Sequence, residues 1–158
     1  MKPVSHRHNF SLKALFVLSL SIGIAMSSCS KSEPRPVEYG KDQCAHCRMA
    51  VSDEKFGSEA IMNTGKMFVF DAPECMIAWY ESGSVQKTDV QSLWVTEFIH
   101  PETLIDARTA SYLESDMIHS PMGLNVAAFR DKESAERARI NFVGAIRTFD
   151  EVVELATN

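Results

Sequence analysis

The sequence is poor in the features that announce most functions, and each absence excludes something. It has no serine–histidine–acid arrangement, no phosphate-binding glycine loop and no paired-carboxylate spacing above background, so a hydrolase has no support. No acidic residue precedes Glu33. The apolar run in that opening segment, ALFVLSLSIGIAM (14–26), is too short to span a bilayer comfortably and fits a signal-peptide core. The chain has only 4 cysteines. It also lacks a second C-x-x-C or H-x-x-x-H pair, which structural zinc sites ordinarily need to complete a tetrahedron.

What is present begins with processing. Lys2, Arg7 and Lys13 charge the opening residues, the apolar run follows, and SSC ends at Cys29. Small residues before a cysteine suggest a bacterial lipoprotein signal over 1–28, cleaved before Cys29, with lipid on its thiol. Met26 stands where leucine is usual, and an ordinary secretory signal is the alternative. The polar stretch through residues 29–41 suits a tether. Ser30, rather than an aspartate, after the lipidated cysteine suggests sorting to the outer membrane. The signal holds three of the 16 basic residues and none of the 21 acidic ones, which leaves the remainder at a formal net charge of −8. An acidic domain of this kind is a poor partner for nucleic acid, and its membrane contact is expected through lipid alone.

Residues 42–158 suffice for one domain with its own core. SEAIMN (58–63) and KMFVFD (66–71) flank Thr64-Gly65 as a hairpin. Asp71 is expected to cap a helix over 72–82, with Cys75, Met76, Trp79 and Tyr80 on its core face. Strands are expected at 92–98, 103–107, near ASYLES, at 124–129 and at AIRTF. Helices follow at 132–142 and 150–156. Gly65-x-x-x-x-Phe70-Asp71 and Gly144-x-x-x-x-Phe149-Asp150 have identical spacing, each before a helix. This echo points to an α+β fold of two related β-β-α-β units packed as one domain.

The chemistry concentrates in KDQCAHCRMAVSD (41–53). With Cys29 lipidated, three thiols remain, so a complete disulfide framework is impossible and at least one thiol is left over. Burial is the plain reading of Cys75. A thioredoxin-like pair needs its first cysteine at a helix start after a strand, and EYGKDQ offers no strand pattern. A Cys44–Cys47 disulfide leaves Met49 without a role other than packing. A soft-metal site uses all of these residues: Cu(I) favours thiolate and thioether sulfur and accepts imidazole. DMIHSPMG (116–123) adds Met117, His119 and Met122 close together on a loop; on spacing alone His119 and Met122 serve equally well as ligands or as loop filler. Met62, Met67 and Met76 read as core.

CAHCRMAVSDEKFGSEAIMNTGKMFVFDAPECM, followed by SPMGLNVAAF and AIRTFDEV, resembles the NosL family of copper-binding lipoproteins, over about residues 42–153. The resemblance implies two β-β-α-β units and a single sulfur- and imidazole-ligated Cu(I), with no catalysis by the protein itself. It further implies a periplasm-facing copper chaperone, and copper supply by ligand exchange to apo nitrous oxide reductase or its maturation membrane complex. Carried over by position, Cys44, Cys47 and Met49 are ligands of the first motif, and Met122 is the second-loop methionine. The family often has a histidine just after that Met-Gly. Leu124 and Asn125 stand there in this chain, so His119 is the nearest substitute and His46 another, with Met117 as a further donor. Asp71 is an orienting residue around the metal, though capping is its plainer role. The competing readings are a periplasmic thiol-disulfide oxidoreductase using Cys44 and Cys47, and a zinc-stabilised binding module.

Overall fold

The computed structural model describes residues 32–158. The signal segment and Cys29 lie outside the described residues. Ser58–Met62 (β1) and Met67–Phe70 (β2) form the expected hairpin, paired from Ser58 opposite Phe70 to Ile61 opposite Met67. Gly65 turns it with φ of 81°, a left-handed value that glycine adopts without a Cβ penalty. Pro73–Glu81 (α1) follows, then Val90–Thr96 (β3), which pairs antiparallel with β1. Leu104–Asp106 (β4) completes a sheet of order β2-β1-β3-β4.

The second round repeats the first. Ser111–Glu114 (β5) pairs with Val126–Phe129 (β6), Lys132–Arg139 (α2) follows, and Ala145–Arg147 (β7) pairs with β5. Its order, β6-β5-β7, matches β2-β1-β3. Phe149–Thr157 (α3) closes the chain with a Thr148/Glu151 capping box. Two β-β-α-β units are therefore present, but the glycine echo joins elements that do not correspond. Gly65 serves the β1–β2 turn, whereas Gly144 precedes β7. A Cβ on Gly144 would lie 1.9 Å from the Glu114 carbonyl oxygen, so close backbone approach dictates that glycine. The register makes Phe70 equivalent to Phe129, since each is opposite the first serine of its hairpin.

The two sheets meet where Glu97 bridges Ala128 in parallel and the Phe98 N–H donates to the Ala128 carbonyl at 2.9 Å. Apolar side chains bridge the units. Trp79 packs on Phe68 and Phe70, and Tyr112, Val126 and Phe149 belong to the same cluster as Leu93 and Val95. Burial of this kind contributes roughly 25 cal/mol per Å² of apolar surface and fixes the strands on which the site depends.

The stretch read as a tether packs on the domain from Ser32 onward. The Ser32 carbonyl accepts from the Gln91 side chain, and the Arg35 N–H donates to Glu59. Arg35 forks onto both Asp42 oxygens at 2.7 and 2.9 Å, and Val37 and Tyr39 pack against the core.

Candidate metal centre

The first loop is closed by its own backbone. Gln43 and Ala50 pair as an isolated bridge, the Cys44 N–H donates to the Met49 carbonyl at 2.8 Å, and the Arg48 N–H donates to the Cys44 carbonyl. Arg48 takes φ of 70°, an uncommon value for a side-chain-bearing residue. The Ala45 N–H then donates to the Val69 carbonyl, which pins the loop beside the end of β2. That end delivers Asp71, and α1 delivers Cys75 from its first turn.

The result is a cluster of Cys44, Cys47, Asp71 and Cys75, whose ligand atoms all lie within 4.8 Å of one another. Cys44, Asp71 and Cys75 are buried, and only Cys47 reaches solvent. The Cys47 thiol donates toward both Asp71 oxygens at 3.6 Å. A hydrogen bond donated by the Cys75 thiol is the main cause holding Cys44 down to about 6. Burial opposes it, and the amides of Asp71, Cys47 and His46 reinforce it. The same bond, then burial and Asp71, push the Cys75 thiol up. Cys47 is also raised, chiefly by burial. Cys44 is thus the thiol of the cluster that ionises first, and a soft cation would displace the protons of the other two.

Two expectations from the sequence are corrected here. Cys75 is not a lone buried thiol; it completes the cluster. Asp71 does not cap α1, because the N-cap is Ala72, with no side-chain cap hydrogen bond. The aspartate stands one residue before the N-cap and is turned to the thiols instead.

The second loop is fastened from beneath. Ile118 is buried, and the Ser120 hydroxyl donates to Glu74 Oε1 while accepting from the Asn125 N–H at 2.8 Å. Asn125 takes φ of 61° and Gly123 of 83°. This geometry brings Met122 to a cavity of about 290 Å³ shared with His46, Glu74, Cys75 and Leu124. Met49 is 47% exposed, Met117 56% and Met122 46%. Met117 and His119 line neither the thiol cluster nor this cavity, and His119 is exposed. Of the ligands expected from the sequence, the structure unites Cys44 and Cys47 in the cluster and sets His46 and Met122 beside Cys75. Met49 lies on the same loop with its side chain outward.

Sequence reasoning missed Cys75 and Glu74. The odd thiol count was a signal for the first. Nothing local marks the second, whose partner Ser120 is 46 residues away.

A family model described as NosL matches residues 36–156. No curated protein matches the chain. Among solved structures, the fold is similar to the crystal structure of the copper chaperone NosL from Shewanella denitrificans. The identity is 18%, 77% of this chain and 96% of that chain are covered, and the TM-score is 0.65. The matched span contains both loops, both β-β-α-β units and every residue of the thiol cluster, and the chain belongs to the NosL family.

Proposed function

We propose that the protein is a Cu(I)-binding chaperone that holds one copper on its thiol cluster and passes it on by ligand exchange. The observation that carries this is the convergence of three thiols and a carboxylate within 4.8 Å, with only Cys47 reaching solvent. Thiolates are the ligands Cu(I) prefers. Cys44, Cys47 and Cys75 would hold the ion as thiolates, Asp71 would take up the proton that Cys47 gives up or join the metal, and exposed Met122 and Met49 would offer thioethers during exchange. Thioethers need no deprotonation, so they can take the ion while the thiolates reprotonate. The protein would be anchored by lipid at Cys29 and face the periplasm at the outer membrane. Its acceptor would be apo nitrous oxide reductase or its maturation membrane complex. These parts rest on the family's character and the leader sequence.

A zinc site is the second reading, and the donor set favours it: three cysteines and an aspartate form a set that zinc accepts, with Zn–S near 2.3 Å. The oxidoreductase reading fares worse. Such an enzyme exposes its low-pKa thiol, and here the lowered thiol, Cys44, is buried while the accessible one, Cys47, is raised.

The test is an anaerobic Cu(I) titration against a chromophoric chelator, repeated with Zn(II) in competition. Saturation at one Cu(I) per chain that excess zinc does not reverse supports the chaperone. Displacement by stoichiometric zinc, together with unfolding by a chelator, would make the cluster a structural zinc site.

A further inference from the structure

The cavity beside the cluster contains one group that the copper reading does not use. Glu74 lies on α1 one residue before Cys75, is only 7% exposed, and lines the same cavity as His46, Cys75 and Met122. Its Oε1 accepts from Ser120. Its Oε2 is buried with no hydrogen-bond partner. A buried carboxylate oxygen left unpaired costs free energy, and burial pushes the Glu74 carboxyl up accordingly, so its ionised form calls for a partner that arrives. The other side chains of the cavity do not supply one: Ala78, Leu124, Leu155 and Ala156 are apolar, and Met122 has no N–H or O–H on its side chain; the Met122 and Leu124 amides face the carboxyl but leave Oε2 without a hydrogen bond. His46 is the one side chain lining the cavity that carries an N–H a carboxylate can accept.

We propose that Glu74 is a positioning residue for copper: when the ion binds, His46 turns from the rim into the cavity as its imidazole ligand, and its second ring nitrogen donates to Glu74 Oε2. This deepens the copper reading and rests on it. A neutral imidazole has one lone pair for metal and one N–H to give, and a metal-bound histidine almost always donates that N–H to a carboxylate or carbonyl. The inference also identifies the chain's imidazole. The position just after Met122-Gly123 holds Leu124, and His119 lines neither cluster nor cavity, whereas His46 sits between Cys44 and Cys47 and already lines the cavity wall with Cys75. The Ser120 hydrogen bond ties the same carboxyl to the second loop, so Glu74 sets the imidazole and the Met122 loop on one reference point.

The test is a double-mutant cycle on the purified protein, read by anaerobic Cu(I) competition, with X-ray absorption of the copper-loaded forms to count imidazole donors. Wild type is expected to show one imidazole, lost in His46→Ala and kept in His119→Ala. Glu74→Gln should weaken Cu(I) about tenfold to a hundredfold. In the His46→Ala background the same substitution should change nothing further, because its effect passes through the ring. An imidazole that survives His46→Ala, or an equal loss from Glu74→Gln in both backgrounds, overturns the inference. Should Glu74→Gln fail to fold, Glu74→Asp, which keeps the charge but withdraws it, takes its place in the cycle. Wild type that binds no Cu(I) defeats the copper reading itself. Copper bound through thiolates with no imidazole defeats this inference alone.

Discussion

The two β-β-α-β units share topology and register, yet one builds a buried thiol cluster and the other builds a surface. Phe70 and Phe129 are equivalent, each followed by a short extended segment and a helix. The helix N-caps, Ala72 and Asp131, have nearly the same backbone, with φ of −154° in both and ψ of 158° and 166°. Asp131 accepts from the Ser134 N–H at 2.7 Å, an ordinary cap. In the first unit the aspartate stands one position earlier, as Asp71, and addresses the Cys47 thiol instead. Counting from the caps, Glu74 corresponds to Glu133 and Cys75 to Ser134. Glu133 pairs on the surface with Arg137, whereas Glu74 is buried under the second loop. A one-residue shift of an aspartate separates a helix that is capped from one whose start faces a cluster of thiols.

The largest expected effect is at the cysteine position. Cys75→Ala should lower Cu(I) affinity by more than the roughly hundredfold that loss of an outer partner costs. Ser134→Cys, at the equivalent place, should create no copper site, and a competition titration of both variants checks the contrast. Next comes the displaced aspartate. Asp71→Asn should weaken Cu(I) about tenfold to a hundredfold while leaving the melting temperature nearly unchanged, since no cap is lost. A fall in melting temperature with copper affinity intact would return Asp71 to a purely structural role.

The strands offer a third contrast. Glu59 of β1 and Tyr112 of β5 each occupy the second position of their strand, and both are fully buried. The Tyr112 hydroxyl donates to the Ala107 carbonyl, but Glu59 keeps Oε1 unpartnered, and burial raises its carboxyl from 4.5 to about 7. The folded protein therefore holds a proton that the unfolded chain releases earlier. The stability it contributes is complete below about pH 4.5 and is lost as pH rises through about 7. Thermal unfolding across that window should show the loss, and Glu59→Gln should flatten it. The smallest effect belongs to the ordinary cap: Asp131→Ala should cost about 1 kcal/mol, seen in denaturant melts, with copper binding untouched.

Much of this was legible locally. Alternation around Thr64-Gly65 defines the first hairpin, and Asp131 marks the start of α2 at the expected residue. The end of α2 was not legible. Its apolar pattern continues to Phe142, but the Asn141 and Phe142 amides both turn back to the Ala138 carbonyl, and the Phe142 ring meets Phe98 edge-on at 5.6 Å. A long-range aromatic contact outweighs helical propensity there. β6 begins at Val126 rather than Leu124 because Asn125 takes a left-handed turn. In the site, Cys44 and Cys47 declare themselves by spacing. Cys75 does not, because a hairpin and a helix start carry it across about thirty residues of chain, and no local pattern records that return.

Among the described residues, the non-glycine positions with positive φ are Arg48 and Asn125, one in each loop around the cavity. Backbone of this kind carries a conformational cost of about 1–3 kcal/mol, and surrounding hydrogen bonds must enforce it. Here those bonds are the Arg48 amide to the Cys44 carbonyl and the Asn125 amide to Ser120. That cost is met once, when the chain folds, and does not recur with each metal ion. In the proposed chaperone, loading and release would exchange ligands on a standing frame, so the tempo of transfer would depend on protons and side-chain rotamers, with no loop to rebuild between one ion and the next.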